Sequence, residues 1–266
     1  MLARPASLSD CHELLAWCRQ NAVSICPRGG GFSYGDSILN RDNVVLHMRA
    51  MNRILDFDPV RGLMRVEPGV QLIDVFRECL SHRLTLSAIP SEPTITIAGS
   101  ICANVNGKDT WRVGNFGDQV VSMKLLLAGG ELVECSREVN ADIFNAVIGG
   151  MGLLGLIVEA TLQLRKVPSP VLAISRVPVE NLDALLEHLA RVERDDDFAV
   201  VWVDTCSRGR KLGRAVVHAT RWIEHDVPQE ELDEEIAGSF ARLRSRLWQS
   251  KWIAPPRDSI VTMMMH

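Results

Sequence analysis

Arginine, glycine, serine, tyrosine and aspartate crowd into one decapeptide, Arg28-Gly29-Gly30-Gly31-Phe32-Ser33-Tyr34-Gly35-Asp36-Ser37. Consecutive glycines let a backbone take positive φ and come very close to a ligand. Successive N–H groups in such a turn point into one concavity, a nest suited to phosphate oxygens. A Rossmann fingerprint requires the glycines to open a long apolar helix. Here residues 37–43 are short and polar, and a strand-like run follows. A Walker loop requires Gly-Lys-Ser/Thr, which the decapeptide lacks. For this segment alone a glycine turn without a ligand stays open, because glycine clusters often just punctuate a chain.

Four further stretches change the balance. Val66-Glu67-Pro68-Gly69-Val70 ends one strand and precedes a helix. Residues 90–107 follow that helix, with small side chains at Ala98, Gly99, Ser100 and Ala103 beside the amides of Asn104 and Asn106. Gly114-Asn115-Phe116-Gly117-Asp118 and the run 148–155, with four glycines, each lead into a strand. Together they predict a large flat ligand laid across the fold. The seven histidines (12, 47, 82, 188, 218, 225 and 266) have no partner at a recognisable spacing and are read as structural or solvent-facing. Asp195-Asp196-Asp197 lacks the glycine-aspartate pattern of a calcium loop and is read as a solvated turn.

Regular elements must position these segments. Asp10-Cys11-His12-Glu13 reads as a capping box that opens a short helix. Residues 23–26 and 44–48 read as strands, and 54–58 with 63–67 as a hairpin. Leu72, Val75, Phe76, Cys79 and Leu80 recur at helical spacing, which predicts a helix over 71–82. A second hairpin is expected over 120–128 and 131–135, a helix over 141–148 and a long strand over 156–164. The Pro168-Ser169-Pro170 break divides the chain into domains over 1–169 and 170–266. Beyond it come a helix marked by Leu182, Leu185, Leu186, Leu189 and Val192, then strands over 198–203 and 215–222 joined by the basic turn 207–211. Gln229 to Trp248 reads as a charged helix with an acidic face from Glu230 to Glu235, and the closing run 261–266 receives no element. The class is α+β.

Composition narrows the functions. Of the 266 residues 47% are hydrophobic, enough for a packed core, and 23% are charged. A net charge of −4 supplies no basic face for nucleic acid. Seven cysteines, an odd number without a C-x-x-C pair, read as reduced thiols in a cytoplasmic protein and argue against zinc. No metal site and no membrane-spanning run are expected; association with a membrane would be peripheral.

The succession of glycine segments over about residues 20–168 resembles the PCMH-type FAD-binding domain of the vanillyl-alcohol-oxidase and p-cresol-methylhydroxylase superfamily. The loop 28–36, Asn104-Val105-Asn106-Gly107-Lys108, Phe116-Gly117, Trp202-Val203-Asp204 and Lys211-Leu212-Gly213-Arg214 resemble its decaprenylphosphoryl-ribose oxidase branch and related aldonolactone and sugar-alcohol oxidases. The resemblance implies two α+β subdomains holding FAD, followed by a cap that is incomplete here.

It also implies roles. Arg28 through Ser37 would wrap the FAD diphosphate. Ser91, Thr96, Ile97, Ala98 and Gly99 would line the flavin and ribityl side. Ala103, Asn104, Val105 and Asn106 would run beside the ring, and Ile157 would meet the adenine half. For Ile97, Val105 and Ile157 plain core packing is an equal alternative. Relatives that attach FAD covalently use a histidine where this loop has Phe32, so non-covalent FAD is expected. Asn106 stands where the ribose-oxidase branch has histidine. Lys108, Trp111 and Arg112 are substrate-side candidates, with a solvated surface as the alternative for the two cations; no residue is assigned as catalytic. The implied reaction is oxidation of a CH–OH group on a small sugar-like or polyol substrate by hydride transfer to flavin N5, with an unknown electron acceptor. A non-catalytic flavin-binding remnant and a reductase using a nicotinamide donor are the alternatives. Because the family's returning segment finds no match by His266, the chain is expected to be a fragment or a truncated frame.

Overall fold

The computed structural model describes residues 1–225 and 261–262; the helix expected over 229–248, its acidic face and Met263–His266 lie outside them. The chain opens with β1 (Leu2–Ala3), α1 (Leu8–Gln20), β2 (Ile25–Arg28) and β3 (Val44–His47). These strands form a parallel sheet in the order β1-β3-β2. Cys11, Leu15 and Cys18 of α1 bury against Val44, Leu46 and Met48. The helix begins earlier than the sequence suggests. Ser7, not Asp10, is the N-cap: its hydroxyl accepts the Asp10 N–H at 3.1 Å and donates to the Asp10 carboxylate. Asp10 therefore sits inside the first turn, where its charge also suits the helix dipole.

A second layer follows. It comprises β4 (Ile54–Asp58), β5 (Leu63–Val66), α2 (Leu72–Cys79), β6 (Leu84–Thr85), α3 (Ile97–Ala103), α4 (Thr110–Val113), β7 (Val120–Leu126), β8 (Leu132–Ser136), α5 (Ala141–Val147), β9 (Leu156–Gln163) and β10 (Arg165–Lys166). Its antiparallel sheet runs β4-β5-β9-β7-β8, while β6 and β10 pair separately. The expected hairpins are β4–β5 and β7–β8. Gln71 and Asp74 form a reciprocal capping box that starts α2, and Leu72, Val75, Phe76 and Cys79 pack into the main core. The small-residue stretch 97–103, expected only as a place of close approach, is a helix. Thr96 caps it by accepting the Gly99 N–H, and Asn104 ends it in the left-handed region at φ 43°.

The third layer is β11 (Val171–Val179), α6 (Leu182–Asp195), β12 (Phe198–Val203), β13 (Ala215–Ile223) and β14 (Val261–Thr262), in the order β12-β13-β11-β14. Strand β11 was not anticipated, and the closing run contributes β14. Alternation in β13 turns Ala215, Val217 and Ala219 toward Leu185 and Val192 of α6. The core does not stop at the proline break: Leu172, Phe198 and Trp222 belong to the same cluster as Met64, Phe76 and Leu162. The whole is α+β, with mostly antiparallel sheets and helices on their faces.

One close approach ties the first two layers. Gly69 donates its N–H to the Met51 carbonyl at 2.7 Å. A β-carbon there would lie 2.4 Å from the Met48 carbonyl oxygen and 2.6 Å from that of Met51, both backbone atoms. Gly69→Ala is therefore expected to cost about 1–3 kcal/mol of stability, read as a lowered urea midpoint; an unchanged midpoint would show that the seam can open freely.

Candidate functional site

Strand β2 carries the chain to the C-terminal edge of the parallel sheet, where Arg28 leads into the glycine turn. A β-carbon on Gly29 would sit 2.2 Å from Thr96 Oγ1, so the turn lies flush against the start of α3. One on Gly30 would meet the Phe32 ring at 2.9 Å and the Thr94 carbonyl oxygen at 3.0 Å. Gly31 and Gly35 take φ of 81° and 65°, which l-side chains rarely adopt. Residues 32–37 are exposed, Tyr34 almost completely. The loop closes through the Ser37 hydroxyl donating to the Tyr34 carbonyl and the Leu39 N–H donating to that of Asp36.

Two other segments converge on this edge. On α3, Gly99 and Ala103 are exposed and lie one turn apart, so that face has almost no side chain. The glycine turn 149–152 docks on the end of α3: the N–H groups of Gly149 and Met151 donate to the carbonyls of Ile101 and Cys102. A β-carbon on Gly152 would come within 3.2 Å of Pro27 in β2. Exposed Met151, Leu153 and Leu154 give this rim an apolar character. The arrangement fits a dinucleotide. Its phosphate end has glycine backbone, its long axis has a smooth helix face, and the Arg28 Nε is buried beside it without a hydrogen-bond partner.

The structure sorts the remaining site candidates. Ser91 and Asn106 are exposed on segments flanking α3, Val105 is half-buried just after it, and Ala98 is half-buried within it. Ile97 and Ile157 are packed in the main core and Thr96 is buried, so their side chains serve the fold. Asn104 is structural through its side chain, with Oδ1 accepting the Gly117 N–H at 2.9 Å. Arg112 is an exposed cation tied to a neighbouring helix. Its guanidinium donates to the carbonyls of Glu193 and Arg194, where the C-terminal end of α6 attracts a cation. Trp111 is partly exposed. Lys108 is half-buried, and burial lowers the pKa of its ammonium.

No local sequence pattern singles out Asp109. Its carboxylate is fully buried, accepts the Ile89 N–H at 3.0 Å and pairs with Arg165 at 3.4 Å. Burial raises its pKa and outweighs the lowering by Ile89 and Arg165. The Arg165 guanidinium also lies over the Phe198 ring, and the Ala199 N–H donates to the Lys108 carbonyl. The loop carrying Lys108 is thus clamped between the second and third layers. Among the described residues no helix is long and apolar enough to cross a membrane.

Residues 1–136 match the family described as FAD binding domain. The chain is 32% identical over 195 residues to decaprenylphosphoryl-beta-D-ribose oxidase of Mycolicibacterium smegmatis, covering 73% of this chain and 42% of that protein. It is 34% identical over 205 residues to L-gulonolactone oxidase of Mus musculus, covering 76% and 45%. It thus spans less than half the length of these relatives. Among solved structures it resembles 6-hydroxy-D-nicotine oxidase from Arthrobacter nicotinovorans with a TM-score of 0.69 at 21% identity, covering 97% of this chain and 55% of the other. That likeness is one of fold.

Proposed function

This chain belongs to the FAD binding domain family, and on that premise we propose that it serves the oxidation of a CH–OH group on a sugar-like or polyol substrate, with FAD held non-covalently. The observation that carries the reading is the glycine turn seated on the start of α3, with Gly29 too close to Thr96 for any side chain. Backbone N–H groups of 28–37 would hold the diphosphate, where oriented amides substitute for a lysine. Gly99 and Ala103 would let the ligand lie along α3. Phe32 has no nucleophilic atom, which supports dissociable cofactor.

FAD, when bound, supplies an acceptor for a hydride, while the protein supplies orientation and electrostatics. Lys108 stands on the clamped loop as a half-buried ammonium without a carboxylate partner among the described residues, which suits an anionic or electron-rich oxygen on the substrate. The buried Asp109–Arg165 pair holds that loop in place. The sugar-like substrate class rests on two of the relatives, oxidases named for a ribose and a lactone compound.

The test is direct. Purified protein should be yellow, and acid precipitation should release the flavin into the supernatant. Anaerobic addition of polyols and aldonolactones should then bleach the flavin. Protein that is colourless and takes up no added FAD would overturn the reading; flavin that binds but is bleached by no alcohol would leave only a binding module.

A further inference from the structure

We propose that the cations Arg4 and Arg28, with the titratable His47 between them, form a row across the carboxyl ends of the parallel strands, and that this row takes the diphosphate of the bound dinucleotide. The inference rests on the flavin reading but adds side chains that the backbone nest does not require.

Register makes the row. Ala3, the last residue of β1, pairs with Leu46 of β3, and Arg4, which follows it, lies close enough to act on His47. On the other flank His47 and Arg28 are Cα partners between β3 and β2. Residues side by side in registered strands project to the same face. The Arg28 guanidinium folds beneath the glycine turn: a β-carbon on Gly31 would lie 2.7 Å from its Nη2 and 3.1 Å from its Nε. That Nε is buried without a partner.

The charged groups acting on His47 are Arg4 after β1, Arg28 on β2 and Arg49 in the turn after β3; with burial, which acts most strongly, they lower its pKa. Among the described residues no carboxylate pairs with Arg4, Arg28 or Arg49. Unbalanced cations gathered at one strand edge repel one another, and an anion placed among them relieves the repulsion. The carboxyl ends of parallel strands are also where open sheets receive ligands.

The consequence is a site whose grip depends on protonation. The FAD diphosphate is a diester and keeps its charge through neutral pH. Binding it beside His47 raises the pKa of the imidazole, so affinity should rise as pH falls from about 8 to about 6.

Calorimetric titration of the flavin-free chain with FAD, riboflavin and inorganic pyrophosphate tests this. The variants are Arg28→Gln, Arg4→Gln and His47→Gln, each checked for fold by circular dichroism. The expected result is FAD affinity about tenfold weaker or more in Arg28→Gln, a smaller loss in Arg4→Gln, unchanged riboflavin affinity, and a flattened pH dependence in His47→Gln. Arg4 is exposed, so its variant carries the test even if Arg28→Gln misfolds. Equal FAD affinity in wild type and every folded variant overturns the row and leaves the flavin reading intact. Arg4- or Arg28-dependent binding of pyrophosphate without any FAD binding supports the row and overturns the flavin reading. Binding of neither ligand overturns both.

Discussion

Gly29→Val is expected to purify folded but without flavin. Its β-carbon would stand 2.2 Å from Thr96 Oγ1, so either Thr96 or the turn must move. The residue is buried, and its hydroxyl caps α3 by accepting the Gly99 N–H at 3.2 Å. Rotating it away sacrifices a cap worth about 1 kcal/mol and opens space that the core must refill. The cheaper response is for the glycine turn to lift off the helix. Residues 32–37 are exposed, so little of the fold resists this movement. The amides then no longer converge, and FAD affinity should fall about a hundredfold, or about 2.7 kcal/mol. Gly35→Asn is the control: nothing lies within 4 Å of a β-carbon there, and asparagine tolerates its positive φ. A flavin-to-protein ratio and a fluorescence titration give the answer. Wild-type affinity in Gly29→Val would show that the turn does not hold the cofactor.

Asp109→Ala should be the most destabilising single change at the site. The carboxylate is wholly buried, and its partner Arg165 has only 22% of its side chain exposed. Removing one member of a buried pair leaves the other charge uncompensated, typically at about 3–5 kcal/mol. Among the described residues the Arg165 guanidinium then keeps the Phe198 ring, and its Nε has no hydrogen-bond partner. Asp109→Asn should cost less, because an amide oxygen still accepts the Ile89 N–H. The two variants also differ from wild type in pH response. The Asp109 pKa is raised in the folded chain, so between the unfolded and folded values the native state binds the proton more readily. This group's contribution to stability therefore declines as pH rises through that window, and both variants should lose that slope. Denaturant melts of the three proteins across acidic pH measure it. A loss under 1 kcal/mol in Asp109→Ala would mean that solvent reaches the pair.

The sequence makes the hairpins legible because their alternation is local. Val120, Met123 and Leu125 face the core from β7, and the turn 129–130 sits between its two strands. Helix α3 is illegible because Ile-Ala-Gly-Ser-Ile-Cys-Ala has poor intrinsic propensity. It forms because Ile97 and Ile101 bury and Thr96 caps, which are tertiary facts. Strand β11 is hidden by Pro178, which ordinarily demotes a run. The strand tolerates it because β14 reaches only Val171 and Leu172, leaving that edge unpaired near the proline among the described residues. The glycine turn was visible as a chemical cluster. The Asp109–Arg165 pair was not, because 56 residues separate its members, and the significance of His47 depends on a register between strands that no local pattern reveals.

Phe198 and Trp222 stack edge to face within a core that also contains Leu162 and Phe76. Exchanging the segment after Pro168 with that of a relative, to graft a new specificity, would therefore cut through shared packing. A working chimera must import the residues on both sides of the seam as a matched set, with Arg165 and Asp109 among them.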